Sequence, residues 1–197
     1  METDPLDQPD AQDRTDMARL VAGYDAALND LMERHGPRLF NYLLRQLHDE
    51  GEAEDAAQES FVRVFQHRAK YDPQYRFATW LYTIATNLAR NRQRHQARHP
   101  EISLQTEDAT GKGTLQDHFA SPLPGPNEHM AAAERAATVR RAVAQLPEDL
   151  RAPLILAEYE ELSHLEIGQI LGCSPKAVEM RIYRARQQLR VALVKWL

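Results

Sequence analysis

Between Leu162 and Leu193 the chain reads LSHLEIGQILGCSPKAVEMRIYRARQQLRVAL, and few architectures accommodate that stretch. It predicts two helices joined by a tight turn. In the first, Leu165, Ile167, Ile170 and Leu171 supply an apolar stripe. Ser163 is placed to cap it, and Glu166, three residues on, completes a capping box. Gly172-Cys173-Ser174 breaks the pattern, and Pro175 then stands at the first position of the second helix with Ser174 as its cap. That helix offers Val178, Ile182, Ala185, Leu189 and Ala192 for burial at spacings of three and four, while Lys176, Arg181, Arg184, Arg186 and Arg190 face a lone Glu179 elsewhere. Two short helices, a glycine-containing turn and a basic second helix are the pattern of a helix-turn-helix, whose second helix enters the major groove of DNA. The competing reading is an amphipathic helix with a solvated basic face. Capping, turn and one-sided charge together favour DNA.

Helix formers dominate the remaining residues, glycine is sparse, and no run alternates as a strand, so the expected class is all-α. The single cysteine, Cys173, permits no internal disulfide and no cysteine-based zinc site. Its bland role is that of a small residue packed in the turn. The opening METDPLDQPDAQDRTD has no apolar core of the signal-peptide kind, and no window is long and apolar enough to span a bilayer. The expectation is a soluble, cytoplasmic protein without membrane insertion.

A net charge of -5 argues against nucleic acid only until it is mapped. Glu2, Asp4, Asp7, Asp10, Asp13 and Asp16 make the start acidic, and Asp49, Glu50, Glu52, Glu54, Asp55 and Glu59 form a second acidic block. From Ser60 to His99 the balance reverses: Arg63, Arg68, Lys70, Arg76, Arg90, Arg92, Arg94 and Arg98 meet only Asp72. A phosphate backbone responds to potential within about 8–10 Å, so distribution outweighs the total.

Taken in order, residues 1–20 read as a disordered acidic tail. A helix is expected from about Tyr24, ended by Gly36-Pro37. A second carries Leu39, Phe40, Leu43, Leu44 and Leu47, and a third carries Ala53, Ala57, Phe61, Val64 and Phe65, its acidic first turns matched to the helix dipole. A fourth runs from Phe77 to beyond Arg94, with Trp80, Leu81, Ile84, Ala85 and Leu88 turned inward. On it Asn87, Arg90, Asn91 and Arg94 share one polar face. Beside Trp80 and Tyr82, that row suits phosphate contacts and base stacking on a single strand, and equally an ordinary solvated face. Residues 98–130 read as a flexible linker long enough to let two domains sit apart, with Pro122, Pro124 and Pro126 near its end. Helices of Ala131–Gln145 and from Glu148 onward lead into the helix-turn-helix of the 131–197 domain.

Three stretches, EAEDAAQESFVRVF, FATWLYTIATNLARNRQR and LPEDLRAPLILAEYEELSHLEIGQILGCSPKAVEMRIYRAR, resemble the two domains of a bacterial RNA polymerase sigma factor of the extracytoplasmic-function group. The resemblance implies an alternative sigma factor with no enzymatic activity and no cofactor or metal. It implies a four-helix N-terminal domain over 21–97 that binds core RNA polymerase and the minus-ten promoter element. A C-terminal domain would read the minus-thirty-five element as duplex. Carried onto this chain, the polymerase-facing residues are Asp55, Gln58, Glu59 and Phe61. Those facing the melted minus-ten strand are Trp80, Asn87, Arg90, Asn91 and Arg94. The upstream duplex falls to Lys176, Glu179, Met180, Arg181 and Arg184. An anti-sigma factor is a further implied partner, and the linker acids Glu107, Asp108 and Asp117 stand where relatives thread the RNA exit path.

Glu179-Met180 departs from the basic or small polar pair of many relatives. Glutamate can accept from cytosine N4 and methionine can touch a thymine methyl, or Glu179 pairs with a neighbouring arginine. Two other classes compete: a ligand-sensing repressor that binds a palindrome as a dimer, and a metal-dependent helical enzyme built on Glu52, Asp55, Glu59 and His67. The latter lacks the Glu-x-x-His pairs of such sites.

Overall fold

The computed structural model describes residues 8–98 and 126–194, and among them every regular element is helical. The order is α1 (Gln8–Val21), α2 (Ala27–Leu47), α3 (Glu50–His67), α4 (Phe77–Arg98), α5 (Pro126–Ala144), α6 (Glu148–Glu158), α7 (His164–Leu171) and α8 (Pro175–Ala192). A short 3-10 turn, Arg68–Lys70, closes α3. The all-α expectation holds, and most of the linker assigned to 98–130 lies outside the described residues.

α2 is the hub, touching α1, α3, α4 and α6. Its spacing of Leu31, Leu39, Tyr42, Leu43 and Leu47 puts a stripe into the core, against Ala53, Phe61 and Val64 of α3 and Leu81, Ala85 and Leu88 of α4. Tyr42 crosses this core: its ring meets Tyr82 edge-on at 5.1 Å, and its hydroxyl shares a 2.7 Å hydrogen bond with the Thr86 hydroxyl. Satisfying the phenol is what makes its burial tolerable.

Two expectations fail in this half. The acidic start is not a tail throughout: residues 8–21 form α1, and residues 1–7 lie outside the description. Asp10, Asp13 and Asp16 fall at helical spacing with Met17 and Leu20 on one buried face. Their charge is neutralised from afar. Arg34 bonds both Asp13 and Asp16, His35 Nε2 lies 2.9 Å from Asp13, and Arg76 Nε reaches Asp10 at 2.6 Å. Nor does Gly36-Pro37 end a helix, since α2 continues through it. Pro37 lies on the exposed side. One missing backbone hydrogen bond there is outweighed by apolar anchors on both sides, Leu31 before and Leu39 after.

In the second half, α6 buries Leu150, Leu154, Ile155 and Leu156 against the helix pair α7–α8. The pair forms as its sequence requires. Ser163 and Glu166 make the capping box, Gly172 ends α7 at φ 66°, and Ser174 caps α8 ahead of Pro175. Gly168 lies where α7 presses on the turn: a Cβ there would stand 2.6 Å from the Cys173 carbonyl oxygen. Leu165 is a local misfit, 61% exposed rather than part of the inward stripe.

The two helical sets touch. α4 packs on α7 and α2 on α6. Tyr82 donates its hydroxyl proton to Glu160. Arg38 Nη2 donates to the Tyr159 carbonyl at 3.2 Å, and the Arg45 guanidinium lies 4.1 Å over the Tyr159 ring. Arg76, besides holding Asp10, reaches Glu166 at 3.0 Å. Arg90 Nε bonds Glu148 at 2.8 Å.

His48 belongs to the same seam. It caps α2 at φ 62°, and Arg151 Nη1 donates to its Nε2 at 2.8 Å. Burial, then the Arg151 charge, push the imidazole below its ordinary value. A base held down in the folded state contributes stability that is present above its unfolded value of about 6.5 and is lost as pH falls from there through the lowered folded value. The urea midpoint should therefore drop between pH 7.5 and pH 5.5. His48→Gln, which keeps an acceptor without a proton to gain, should flatten that drop; an identical drop in the variant would remove His48 from the account.

Candidate nucleic-acid interface

On α4, the exposed side is a continuous line. Trp80, Asn87, Asn91 and Arg94 recur at helical spacing, with Asn87, Asn91 and Arg94 open to solvent and Trp80 partly covered. Trp80 is braced by Tyr71 at 5.4 Å and by Phe77 at 6.3 Å, which fixes its ring as a rigid edge to the row. Arg90 is on the same side but engaged, its Nε held by Glu148. Tyr82, expected beside the row as a stacking surface, is instead buried against Tyr42 and Glu160, and its phenol is strongly held in the neutral form by burial first and by the Glu160 charge second.

α3 carries the acidic face. Asp55 and Gln58 are exposed, and Gln58 lies 3.5 Å from Glu54. Glu59 is committed within the fold, bonded to Arg63 at 2.6 Å and to Arg92 at 3.3 Å. Glu52 completes the clamp on Arg92 at 2.6 Å, so the acids of this helix and the basic α4 are stitched together. Phe61 corrects the expectation: at 4% exposure it is core and offers a partner no surface. Its neighbour Val62, 51% exposed, shares the open face with Asp55 and Gln58. The sequence did hold that signal, because 55, 58 and 62 follow helical spacing whereas 61 falls with Ala53, Ala57 and Val64.

α8 divides as its sequence divides. Val178, Ile182 and Ala185 are buried, while Lys176, Glu179, Met180 and Arg184 are exposed. Arg181 lies partly covered, its Nη1 3.5 Å from the Cys173 sulfur. Arg186 is drawn off to Glu158 at 2.6 Å. Glu179 pairs with Lys176, at 2.9 and 3.0 Å, and not with an arginine. That hydrogen bond, more than the bare charge, keeps the Glu179 carboxyl below its ordinary value. Tyr183, absent from the sequence-derived set, is 57% exposed beside Met180. Together with His164 and Arg186 these two line an open groove on the outer face. Among the described residues no group of three or more His, Cys, Asp or Glu could hold a metal ion, and no helix is long and apolar enough to cross a membrane.

Comparison with known proteins follows the same division. Residues 31–99 match the family model of sigma-70 region 2, and residues 136–189 that of sigma-70, region 4. The chain is 34% identical over 183 residues to the RNA polymerase sigma-H factor of Pseudomonas aeruginosa, covering 92% of this chain and 94% of that one. It is 33% identical over 172 residues to the ECF RNA polymerase sigma factor SigW of Bacillus subtilis, covering 87% and 91%. Among solved structures it resembles CnrH, determined in complex with the cytosolic domain of CnrY, with a TM-score of 0.69, 26% identity, and coverage of 93% of this chain and 98% of that one.

Proposed function

We propose a division of labour among these surfaces from one premise: the chain belongs to the extracytoplasmic-function group of bacterial RNA polymerase sigma factors. It is an alternative sigma factor, directing promoter recognition and transcription initiation. The helices of 21–97 engage core polymerase and the minus-ten element; those of 131–197 read the minus-thirty-five duplex. The protein works without chemistry of its own, in the cytoplasm. CnrH is held by the cytosolic domain of another protein, and the corresponding partner here is an anti-sigma factor.

The observation that carries this reading is the α8 face. Its inner side is locked into the α6–α7 pair while Lys176, Glu179, Met180 and Arg184 stand open at the end that a recognition helix presents to base edges. The α4 row supports the second contact. Asn87, Asn91 and Arg94 supply amide and guanidinium donors for phosphates and unpaired bases, with Trp80 as the stacking edge. Asp55 and Gln58 bind polymerase, flanked by Val62, and Glu59 acts by orienting Arg92 and Arg63.

The two promoter elements lie about 25 base pairs apart, roughly 85 Å of duplex at ~3.4 Å per pair. Arg90 and Glu148 touch at 2.8 Å. Reading both elements at once therefore requires the seam between the helical sets to open.

Purified chain added to core polymerase should start RNA synthesis from members of a promoter library that core alone ignores. Asp55→Ala combined with Gln58→Ala should weaken core binding tenfold or more in a pull-down titration. Undiminished core affinity would remove α3 from the polymerase contact.

A further inference from the structure

Lys176 and Glu179 sit one turn apart at the start of α8, and Lys176 Nζ lies 2.9 and 3.0 Å from the two carboxylate oxygens. Neither charge is needed where it stands for the fold. The lysine side chain is 73% exposed and the glutamate 52%, and an exposed pair of this kind adds little to stability, because solvent screens it and two long side chains must be ordered to make it. A lysine in the first turn also opposes the positive end of the helix dipole, and that turn holds no acid. The pair thus presents a cation and an anion, side by side, at the end of the helix that meets base edges.

In the major groove, cytosine offers its N4 amino group as donor, and its partner guanine offers O6 and N7 as acceptors. N4 and O6 are themselves hydrogen-bonded across the base pair, so donor and acceptor lie about 2.9 Å apart. That matches the spacing between the lysine nitrogen and the glutamate oxygens. We propose that Lys176 and Glu179 act as one unit that reads a single C·G pair of the upstream element: Glu179 accepts from cytosine N4, and Lys176 donates to guanine O6 or N7. Met180 follows on the same open face beside Tyr183. It supplies the apolar contact for the methyl group of an adjacent thymine. This rests on the reading of α8 as the recognition helix. It assigns to Glu179 a base-reading role in place of a mere surface pairing.

The test uses the full chain assembled with core polymerase and a promoter library randomised through the minus-thirty-five element. Each template carries a transcribed barcode linked to its upstream sequence, and sequencing the barcodes in the RNA should reveal one upstream position fixed as C·G. Lys176→Ala and Glu179→Ala should each relax preference at that position about fivefold or more, leaving the other positions ordered. Exchanging the pair, Lys176→Glu with Glu179→Lys, should invert the preference to G·C. Both side chains are exposed, so folding is not at stake, and circular dichroism would verify it. Loss of output spread equally over all positions would overturn the proposal, since it would leave Lys176 as a phosphate contact and Glu179 as no more than its surface partner. So would an ordered element whose C·G positions ignore all three variants. A holoenzyme that assembles and initiates without selecting any upstream sequence would instead overturn the recognition-helix reading, and the base-pair assignment with it.

Discussion

Asp16→Ala should lower the unfolding free energy by about 3 kcal/mol, the low end of the range for breaking a buried ion pair. The Asp16 side chain is fully buried. It accepts from Arg34 Nη2 at 2.8 Å, from Arg19 Nη1 at 3.3 Å and from Gln12 Nε2 at 3.2 Å. Removing it leaves the Arg34 guanidinium, 28% exposed, with Asp13 as its remaining partner, which limits the loss to the low end of that range. Asp16→Asn keeps the shape and an acceptor oxygen and should lose about half as much. Urea titration reads both values, and a double-mutant cycle with Arg34→Ala should return a coupling energy above ~1 kcal/mol. An Asp16→Ala loss under ~0.5 kcal/mol, typical of an ordinary surface substitution, would sink the claim that α1 is anchored by charge. The effect should reach beyond α1, because Asp10 of the same face holds Arg76 at the head of α4.

Gly168→Ala should destabilise the C-terminal helices by about 1–2 kcal/mol, and for a different reason. In an exposed helix interior the same change would gain about 1 kcal/mol from restricted backbone freedom. Here the added methyl group would stand 2.6 Å from the Cys173 carbonyl oxygen and 3.5 Å from the Pro175 nitrogen. Both are backbone atoms of the turn, so no rotamer change relieves the clash, and overpacking of this kind costs ~1–3 kcal/mol. The turn must yield, and α8 must shift relative to α7. Affinity for the upstream element should then fall further than stability alone explains. Thermal melts together with duplex binding by the holoenzyme check both parts, and a variant as stable as the parent would show the turn to be pliant.

These two cases mark where the sequence was legible and where it was not. The helix-turn-helix was readable because its determinants are local: Ser163, Glu166, Gly172, Ser174 and Pro175 act on neighbours within four residues. The α1 helix was not, because its aspartates depend on Arg34 and Arg76, whose positions only tertiary structure supplies. An acidic, proline-marked stretch without those partners has the composition of a disordered segment. Pro37 misled in the same way, since a local breaker is overridden when both flanks are held in one core. Among the candidate contact residues, Asn87 and Asn91, which share one polar helix face, are exposed, and so are Asp55, Gln58, Lys176 and Glu179, which the family resemblance supplies. Phe61, from the same motif as Asp55 and Gln58, is not, and Tyr82, expected beside the α4 row as a stacking surface, turns its phenol inward to Glu160. Gly168 gave no sign at all, because glycine in a helix pattern does not say what presses against it.

The seam formed by Tyr82–Glu160, Arg90–Glu148 and His48–Arg151 has a thermodynamic consequence. A ligand that needs the separated form sees its intrinsic affinity scaled by the fraction of molecules already in that form. Every tenfold bias toward contact thus weakens free-solution capture of a promoter tenfold, and a partner that binds only the separated form would restore it. Selectivity for the assembled enzyme over stray chains on the chromosome would then reside in the contacts between the two helical sets, Arg38–Tyr159 and Arg76–Glu166 among them.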